Sequence, residues 1–413
     1  MSDVATILTQ IAVFLGLYFE VFMLIAFLGD RKKKNAAFAA TEYPSVTITV
    51  PVWNEEKTVF RTVESLLALD YPKDKLSIFI IDDGSTDDTW NIIQAYKDNP
   101  QVKLFHKENG GKHTAVNYAI EHATSDLFGC LDADSFVEPN ALRLMADHFR
   151  ADPDVMAVTP SLKIWNPNSI VRHLQSSEYH LGVFRKETQS RIGAIFITPG
   201  PFSIYRMSVF AQIGRFKSAH NTEDMEIAMR MQKNRLKIEN AREAIVYTVG
   251  PATVRTLHKQ RVRWLYGLIR NGADYREFFF NPKYGHVGMF FFPTSAALMA
   301  VAIFYFFKIL FSLGSFLLTK ISELHFLGAN PSLIFQNVRF SWFFVNLPMT
   351  AFIDIALILF TIGMVVYGRY LTEKRIRIDA STIAFPFLYP VFAIFWVLRS
   401  AYNAAIAKKP SWR

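Results

Sequence analysis

Acidic residues end three short β-rich runs in the first third of this 413-residue chain. Val46-Thr47-Ile48-Thr49-Val50 leads into Pro51-Val52-Trp53-Asn54-Glu55. Leu76 to Ile81 leads into Asp82-Asp83-Gly84-Ser85. Leu127 to Leu131 leads into Asp132-Ala133-Asp134. Asp132 and Asp134 alternate one residue apart, a spacing that can bring both carboxylates to one hard divalent ion. Mg²⁺ or Mn²⁺ held there would bridge a nucleotide's diphosphate and neutralise a leaving group. An isolated pair of this spacing also occurs as loop caps; here other acids surround it. Asn109-Gly110-Gly111-Lys112 precedes a helical pattern. Two glycines permit close backbone approach and a helix N-terminus favours anions, so Lys112 can meet a phosphate or a base carbonyl. A plain turn before a helix reads the same way.

The elements that must position these residues alternate. Helical spacing over Thr58–Leu69, Thr89–Asp98 and Lys112–His122 separates strands at Val46–Val50, Leu76–Ile81, Val102–Phe105 and Leu127–Leu131. Such alternation predicts a parallel sheet covered on both faces. Ligands of such sheets sit beyond the C-terminal strand ends, which is where the acids fall.

Apolar residues concentrate at the two ends of the chain. Thr6 to Leu28 is interrupted only by Thr9, Gln10 and Glu20, and is long enough to cross a bilayer, which takes about 20 residues. Arg31-Lys32-Lys33-Lys34 follow it, the reverse of a signal peptide, and place that end in the cytoplasm with the N-terminus outside. Gly288–Leu318, Phe340–Tyr367 and Thr382–Ala405 are later candidate spans, the last weakened by Pro386, Pro390 and Arg399. The loop carrying Arg369, Lys374, Arg375 and Arg377 belongs in the cytoplasm. Counting from there puts Lys408, Lys409 and Arg413 outside, against the charge rule. Either the last segment lies in the interface without crossing, or the count is off by one. Glu20, Lys308 and Asp354 fall within apolar runs and either face the bundle interior or snorkel. Phe278, Phe279, Phe280 and Tyr284 read as interfacial anchors.

Composition narrows the class. Hydrophobic residues make up 51%, which excludes an intrinsically disordered chain. One cysteine, Cys130, excludes an intrachain disulfide and a Cys-rich zinc site, and reads as a packed thiol. The net charge is +9, but much of it flanks apolar segments and no recognition motif appears, so a nucleic-acid partner is not expected.

Taken in order, Pro51-Val52-Trp53-Asn54-Glu55, Asp82-Asp83-Gly84-Ser85-Thr86-Asp87, Gly110-Gly111-Lys112 with Ala115 and Asn117, and Asp132-Ala133-Asp134 resemble family 2 glycosyltransferases of the GT-A fold. Thr222-Glu223-Asp224 looks like the family's TED motif, and Gln260-Arg261-Val262-Arg263-Trp264 matches QxxRW. The pair, beside membrane segments, resembles the processive synthases of hyaluronan, chitin, cellulose and poly-N-acetylglucosamine. Trp412-Arg413 is similar to the tails of bacterial poly-N-acetylglucosamine synthases.

The resemblance implies an α/β fold: a Rossmann-like, mostly parallel sheet with helices on both faces, plus transmembrane helices. It divides the chain into a transmembrane helix with its basic flank (1–34), a cytoplasmic GT-A domain (35–275), and an interfacial segment with transmembrane helices (276–413). It implies a multi-pass plasma-membrane enzyme that takes a UDP-sugar, UDP-N-acetylglucosamine first, and extends a β-linked polysaccharide with inversion. Val52, Glu55 and Asp83 would hold uridine, with Lys112 nearby on the donor. Asp132 and Asp134 would hold Mg²⁺ or Mn²⁺ and the diphosphate. Asp224, beside Glu223, would be the general base. Arg263 would bind donor phosphate, and Gln260 and Trp264 would lie at the acceptor end. Phe202, in Thr198-Pro199-Gly200-Pro201-Phe202, would sit by the acceptor, although a plain turn reads much the same. His258 is a candidate third metal ligand or a solvated side chain.

These roles suit the residue types. A sugar hydroxyl is a poor nucleophile, so a nearby carboxylate taking its proton is typically worth ~10²–10⁴ in rate. Glu223 beside Asp224 can raise the latter's proton affinity. Arg offers phosphate a bidentate fork that Lys lacks. Relatives often carry more membrane helices than are counted here. Export would then need a partner subunit or a homo-oligomer, or the acceptor is a lipid or short oligosaccharide receiving one sugar. A catalytically silent scaffold that binds nucleotide-sugar is the alternative of another class.

Overall fold

The computed structural model describes residues 2–29, 42–326 and 349–410. The basic cluster Arg31–Lys34, the start of the expected span at Phe340, and Trp412-Arg413 lie outside the described residues.

The sheet has eight strands in the order β3-β2-β1-β4-β7-β6-β8-β5. They are β1 Val46–Val52, β2 Leu76–Asp82, β3 Val102–His106, β4 Leu127–Cys130, β5 Ser135–Val137, β6 Val155–Ile164, β7 Ser203–Arg206 and β8 Lys237–Thr248. The first four are mutually parallel, as the alternation predicted. The second half is mixed: β7 runs antiparallel to β4 and β6, β5 runs antiparallel to β8, and β6 and β8 pair in parallel.

Strand β1 is buried on both faces, which explains its nearly continuous β-branched run. On one face Val46, Ile48, Val50 and Val52 pack with α2 (Val59–Leu67) and α5 (Ala141–Ala151). Helix α2 presents Val59, Thr62, Val63 and Leu66, a stripe at helical spacing. Truncating the fully buried Leu66 to Ala would cost about 2–5 kcal/mol. On the other face Phe79, Ile81, Phe128 and Cys130 pack with α4 (Lys112–His122) and α8 (Glu223–Lys233). Cys130 is a buried free thiol, as its apolar neighbours required. The remaining helices of this part are α3 (Thr89–Gln94), α6 (Ile170–Arg191), α7 (Ser208–Ile213) and α9 (Val254–Asp274).

Among the described residues four helices are long and apolar enough to cross a membrane, over Thr6–Leu28, Val287–Ser322, Ala351–Glu373 and Ala380–Ala405. They belong to α1 (Ser2–Leu28), α10 (Phe292–Phe326) with the π-helical turn before it, α11 (Met349–Glu373) and α12 (Ala380–Ala405). Two of the three charges in apolar runs have helix-to-helix partners: Glu20 accepts from Thr361 Oγ1 at 3.1 Å, and Lys308 donates to Thr9 Oγ1 at 2.6 Å. Asp354 is exposed.

Phe278 and Tyr284, read from sequence as interfacial anchors, are buried against Met23, Phe184, Phe196 and Met225, so they tie α1 to the sheet domain; Phe280 points outward. Helix α12 stays beside that domain. Ser381 bonds Ser177 of α6, the Tyr389 hydroxyl takes a bond from Arg261 of α9, Ser400 donates to the Val262 carbonyl, and the Pro410 carbonyl accepts from Asn221. Pro386 and Pro390 do not break it. Apolar length makes α12 a candidate span; it packs on α6 and α9 of the sheet domain as well as on α10 and α11.

Candidate active site

The acids at the strand ends converge on a lysine. Helix α4 begins at Lys112 after Gly111, whose φ of +88° is a conformation glycine adopts without strain. The start of the helix is anchored by Asp83, which accepts from Gly110 N at 3.1 Å, Gly111 N at 2.8 Å and Lys107 Nζ at 2.5 Å. Lys112 Nζ then lies 2.5 Å from Asp132 Oδ1 and 3.1 Å from Glu223 Oε1. Burial opposes the lysine's charge, but these carboxylates hold its pKa well above the ordinary value. Burial likewise opposes ionisation of Glu223, yet Lys112 holds that carboxyl below its usual range.

Asp224 follows at the start of α8. Its carboxylate accepts from Gly200 N at 3.3 Å and from Met225 N at 2.9 Å. Burial first, then the charge of Glu223, pushes its pKa up to about 6. Gly200 is held close: a Cβ there would stand 2.5 Å from Lys112 Nζ and 3.0 Å from Asp132 Oδ2. Lys112, Cys130, Gly200, Glu223 and Asp224 line one pocket. Arg263 is half-buried on α9, near enough for its charge to hold Glu223 and Asp224 down.

A divalent cation fits this chemistry. Asp132 and Asp134 offer hard oxygen donors, and Asp134 is pushed up to about 6 by burial and then by the charge of Asp132, strain that a bound cation would relieve. Among the described residues no three His, Cys, Asp or Glu side chains group as a metal cage. An ion here would take its other ligands from water and phosphate, as Mg²⁺ commonly does.

Other expected residues are placed differently. His258 is half-buried with its pKa lowered by burial and by Arg399. Val52 is buried in the core and its carbonyl accepts from Asp83 N at 2.9 Å, so its backbone, not its side chain, reaches the strand end. Glu55 is half-buried and takes a bond from Thr58 Oγ1 at 2.9 Å. Phe202 is fully buried with φ at +64°, so its ring is in the core and its loop meets the pocket through Gly200. Gln260 accepts from Arg261 Nη1 at 2.8 Å, and the Arg261 guanidinium lies 4.2 Å from the Trp264 ring and pairs with Glu178. Arg261 thus orders the pair expected at the acceptor.

Two residues of α6 lie near enough to these acids to feel their charge. Tyr179 is raised to about 12 by burial, with smaller contributions that include Asp134 and Asp132. Lys186 donates to the Pro160 carbonyl at 3.2 Å; burial pulls it down to about 7 against the attraction of Asp224. Their seven-residue spacing, one helix face, was the only available signal.

Residues 47–214 match the profile of glycosyl transferase family 2. The chain is 31% identical over 262 residues to a poly-beta-1,6-N-acetyl-D-glucosamine synthase of Staphylococcus epidermidis, covering 62% of this chain and 63% of that protein. It is 33% identical over 229 residues to the synthase of the same name from Staphylococcus aureus strain COL, covering 55% of each. The alignments thus span less than two thirds of these relatives. The mannosyltransferase PcManGT from Pyrobaculum calidifontis, solved with GDP-Man and Mn²⁺, superimposes with a TM-score of 0.62 at 19% identity, over 98% of this chain and 99% of that one, a likeness of fold. Residues 47–214 thus carry the glycosyl transferase family 2 match, and the sheet domain around them has a GT-A-like fold.

Proposed function

We propose that this chain is a membrane-embedded hexosyltransferase that transfers a sugar from UDP-N-acetylglucosamine, with inversion, to the end of a growing β-linked polysaccharide. The observation that carries the reading is Lys112 held between Asp132 and Glu223, with Asp224 beside Glu223 and Arg263 close by. The similarity to poly-beta-1,6-N-acetyl-D-glucosamine synthases favours the sugar and the polymer.

Asp224 takes the acceptor hydroxyl's proton during attack; its raised proton affinity and its bond from Gly200 N suit a positioned base. Glu223, kept ionised by Lys112, sustains that proton affinity by its charge. Mg²⁺ or Mn²⁺ on Asp132 and Asp134 would neutralise the departing diphosphate. Arg263 binds a phosphate of the donor. Asp83 positions the Gly110-Gly111 turn against the nucleotide. Trp264, backed by Arg261, offers an apolar face to the acceptor sugar. The sheet domain lies in the cytoplasm, where nucleotide sugars are made, and the apolar helices hold the enzyme in the plasma membrane. Intact acids at every position speak against a silent scaffold.

A second reading has one observation in its favour. With α12 lying along the sheet domain, α1, α10 and α11 remain as spans among the described residues, few for a channel. Transfer of a single sugar to a lipid acceptor needs no channel; polymer export would need a second copy or a partner subunit. The test is purified full-length protein incubated with labelled UDP-sugars and Mg²⁺ or Mn²⁺, scoring UDP release and product length. Long product from UDP-N-acetylglucosamine supports the polymer reading, single-sugar lipid product the second, and no UDP release from any donor rejects both.

A further inference from the structure

Helix α9 carries a stripe at helical spacing: Arg263, Gly267, Asn271 and Asp274. Its first member faces the acids of α8. The later ones grip the residue just before those acids. A Cβ at Gly267 would stand 2.2 Å from Thr222 Oγ1 and 2.8 Å from Thr222 Cβ, so any side chain there must displace Thr222 or α9. One turn on, Asn271 Nδ2 donates to Thr222 Oγ1 at 2.9 Å, with the two residues 1% and 3% exposed. The Thr222 hydroxyl in turn donates to the Ala219 carbonyl at 3.1 Å. At the helix end, Asp274 lies 2.8 Å from His220 Nε2.

The gripped segment needs holding. Ala219, His220 and Asn221 have φ of +37°, +56° and +65°, three consecutive non-glycine residues in the left-handed region. Such a run persists only where its surroundings over-determine it. Thr222 is the hinge between this run and Glu223-Asp224, so whatever fixes Thr222 fixes where α8 begins.

We propose that Gly267 and Asn271, closing on Thr222, form a buried clamp that sets the position of Asp224 relative to Arg263 and Trp264, one turn earlier on the same helix. Gly267 and Asn271 are positioning residues: neither lines the pocket that Glu223 and Asp224 line, and they lock the TED segment to the QxxRW segment in one register. The inference rests on the proposed role of Asp224 as base. Misplacing a reacting group by about 1 Å can cost on the order of 10²-fold in rate.

The test uses the full-length protein in detergent, with variants Gly267→Ala, Asn271→Ala, Thr222→Val and Thr222→Ser. Asn271→Ala and Thr222→Val are expected to lower kcat for sugar transfer by about 10²-fold per folded molecule, with KM for the UDP-sugar within about threefold. Their double variant loses no more than either alone. Thr222→Ser, which keeps the hydroxyl, stays within about threefold of wild type. Gly267→Ala adds atoms and can fail to fold; the other variants insert none beyond the size of the native residue and carry the test without it. A merely structural role would lower the unfolding temperature and leave kcat per folded molecule unchanged, and that result overturns the proposal, as does multiplication of the two losses. If the wild-type protein releases no UDP from any donor, the functional reading fails by itself. The clamp is then read from thermal unfolding, where non-additive shifts for Asn271→Ala and Thr222→Val support it and additive shifts overturn it.

Discussion

Lys112 Nζ and Asp132 Oδ1 stand 2.5 Å apart, joining the start of α4 to the end of β4 across the mouth of the sheet. The same ammonium lies 3.1 Å from Glu223, so one positive charge holds together acids from two distant parts of the chain. Replacing it with an uncharged side chain of similar length leaves two carboxylates without their counter-charge. Lys112→Met should lose stability at the lower end of about 3–5 kcal/mol, because Asp132 is partly solvated. A divalent ion can replace the missing charge. Mn²⁺ should therefore raise the variant's unfolding midpoint by more than it raises that of wild type. Equal shifts in a thermal melt would show that the ion does not bind among these acids.

Asp224 makes a prediction about pH. Its pKa is raised to about 6 by burial and by Glu223, and a general base works only when deprotonated. Below pH 6 it is mostly protonated, so kcat/KM should fall as pH drops through about 6 and level off above it. Asp224→Asn should lower kcat by about 10²–10⁴-fold and abolish that acidic limb, while KM for the donor changes little. A variant that kept full turnover, or kept the acidic limb in its residual activity, would remove Asp224 from the role of base.

Much of this site was visible in the residues because parallel strands end where ligands bind, and each of the first four strands ends in its polar motif. Asp132 and Asp134 stand out by their spacing at a strand end, Glu223 and Asp224 only through the resemblance of Thr222-Glu223-Asp224 to the family's motif; the charge of Glu223 reads from the sequence as raising the proton affinity of Asp224, but the larger cause is burial, which the sequence does not report. Asp83 was expected at uridine, yet its oxygens hold the Gly110-Gly111 turn, a use of backbone donors that side-chain spacing does not announce. Phe202, expected at the acceptor, has its ring buried in the core. The β6–β8 pairing joins residues about 80 positions apart with three helices between, a distance no local pattern reports. The grip of Gly267 on Thr222 was equally hidden, since a lone glycine in a helical pattern reads only as a weak helix former.

The paired acids of β4 give a metal prediction. Asp132→Asn and Asp134→Asn each remove one anionic oxygen donor while keeping size. Each should raise the Mn²⁺ concentration needed for half-maximal activity by at least about 10–100-fold, the loss seen even for residues that only support a ligand. Titrating UDP release against Mn²⁺ measures it. An unchanged half-saturation in both variants would place the ion elsewhere or dispense with it.

The last helix makes a prediction about topology. The apolar run of α12 is long enough to span, which would carry Lys408 and Lys409 to the outer face against the positive-inside rule. The packing removes that conflict. Ser381, Tyr389 and Ser400 all meet the sheet domain, and the Pro410 carbonyl accepts from Asn221 next to Thr222. A helix touching the same domain at both ends cannot also deliver its C-terminal end across a bilayer from it. Lys57 is exposed on the sheet domain and Lys408 is exposed past α12, while the native Cys130 is buried and contributes no background. Lys57→Cys and Lys408→Cys should therefore react with a membrane-impermeant maleimide from the same side: both in inverted vesicles, neither in right-side-out cells. Labelling of Lys408→Cys from outside the cell, with Lys57→Cys protected there, would make α12 a true span and break the contact between Asn221 and Pro410.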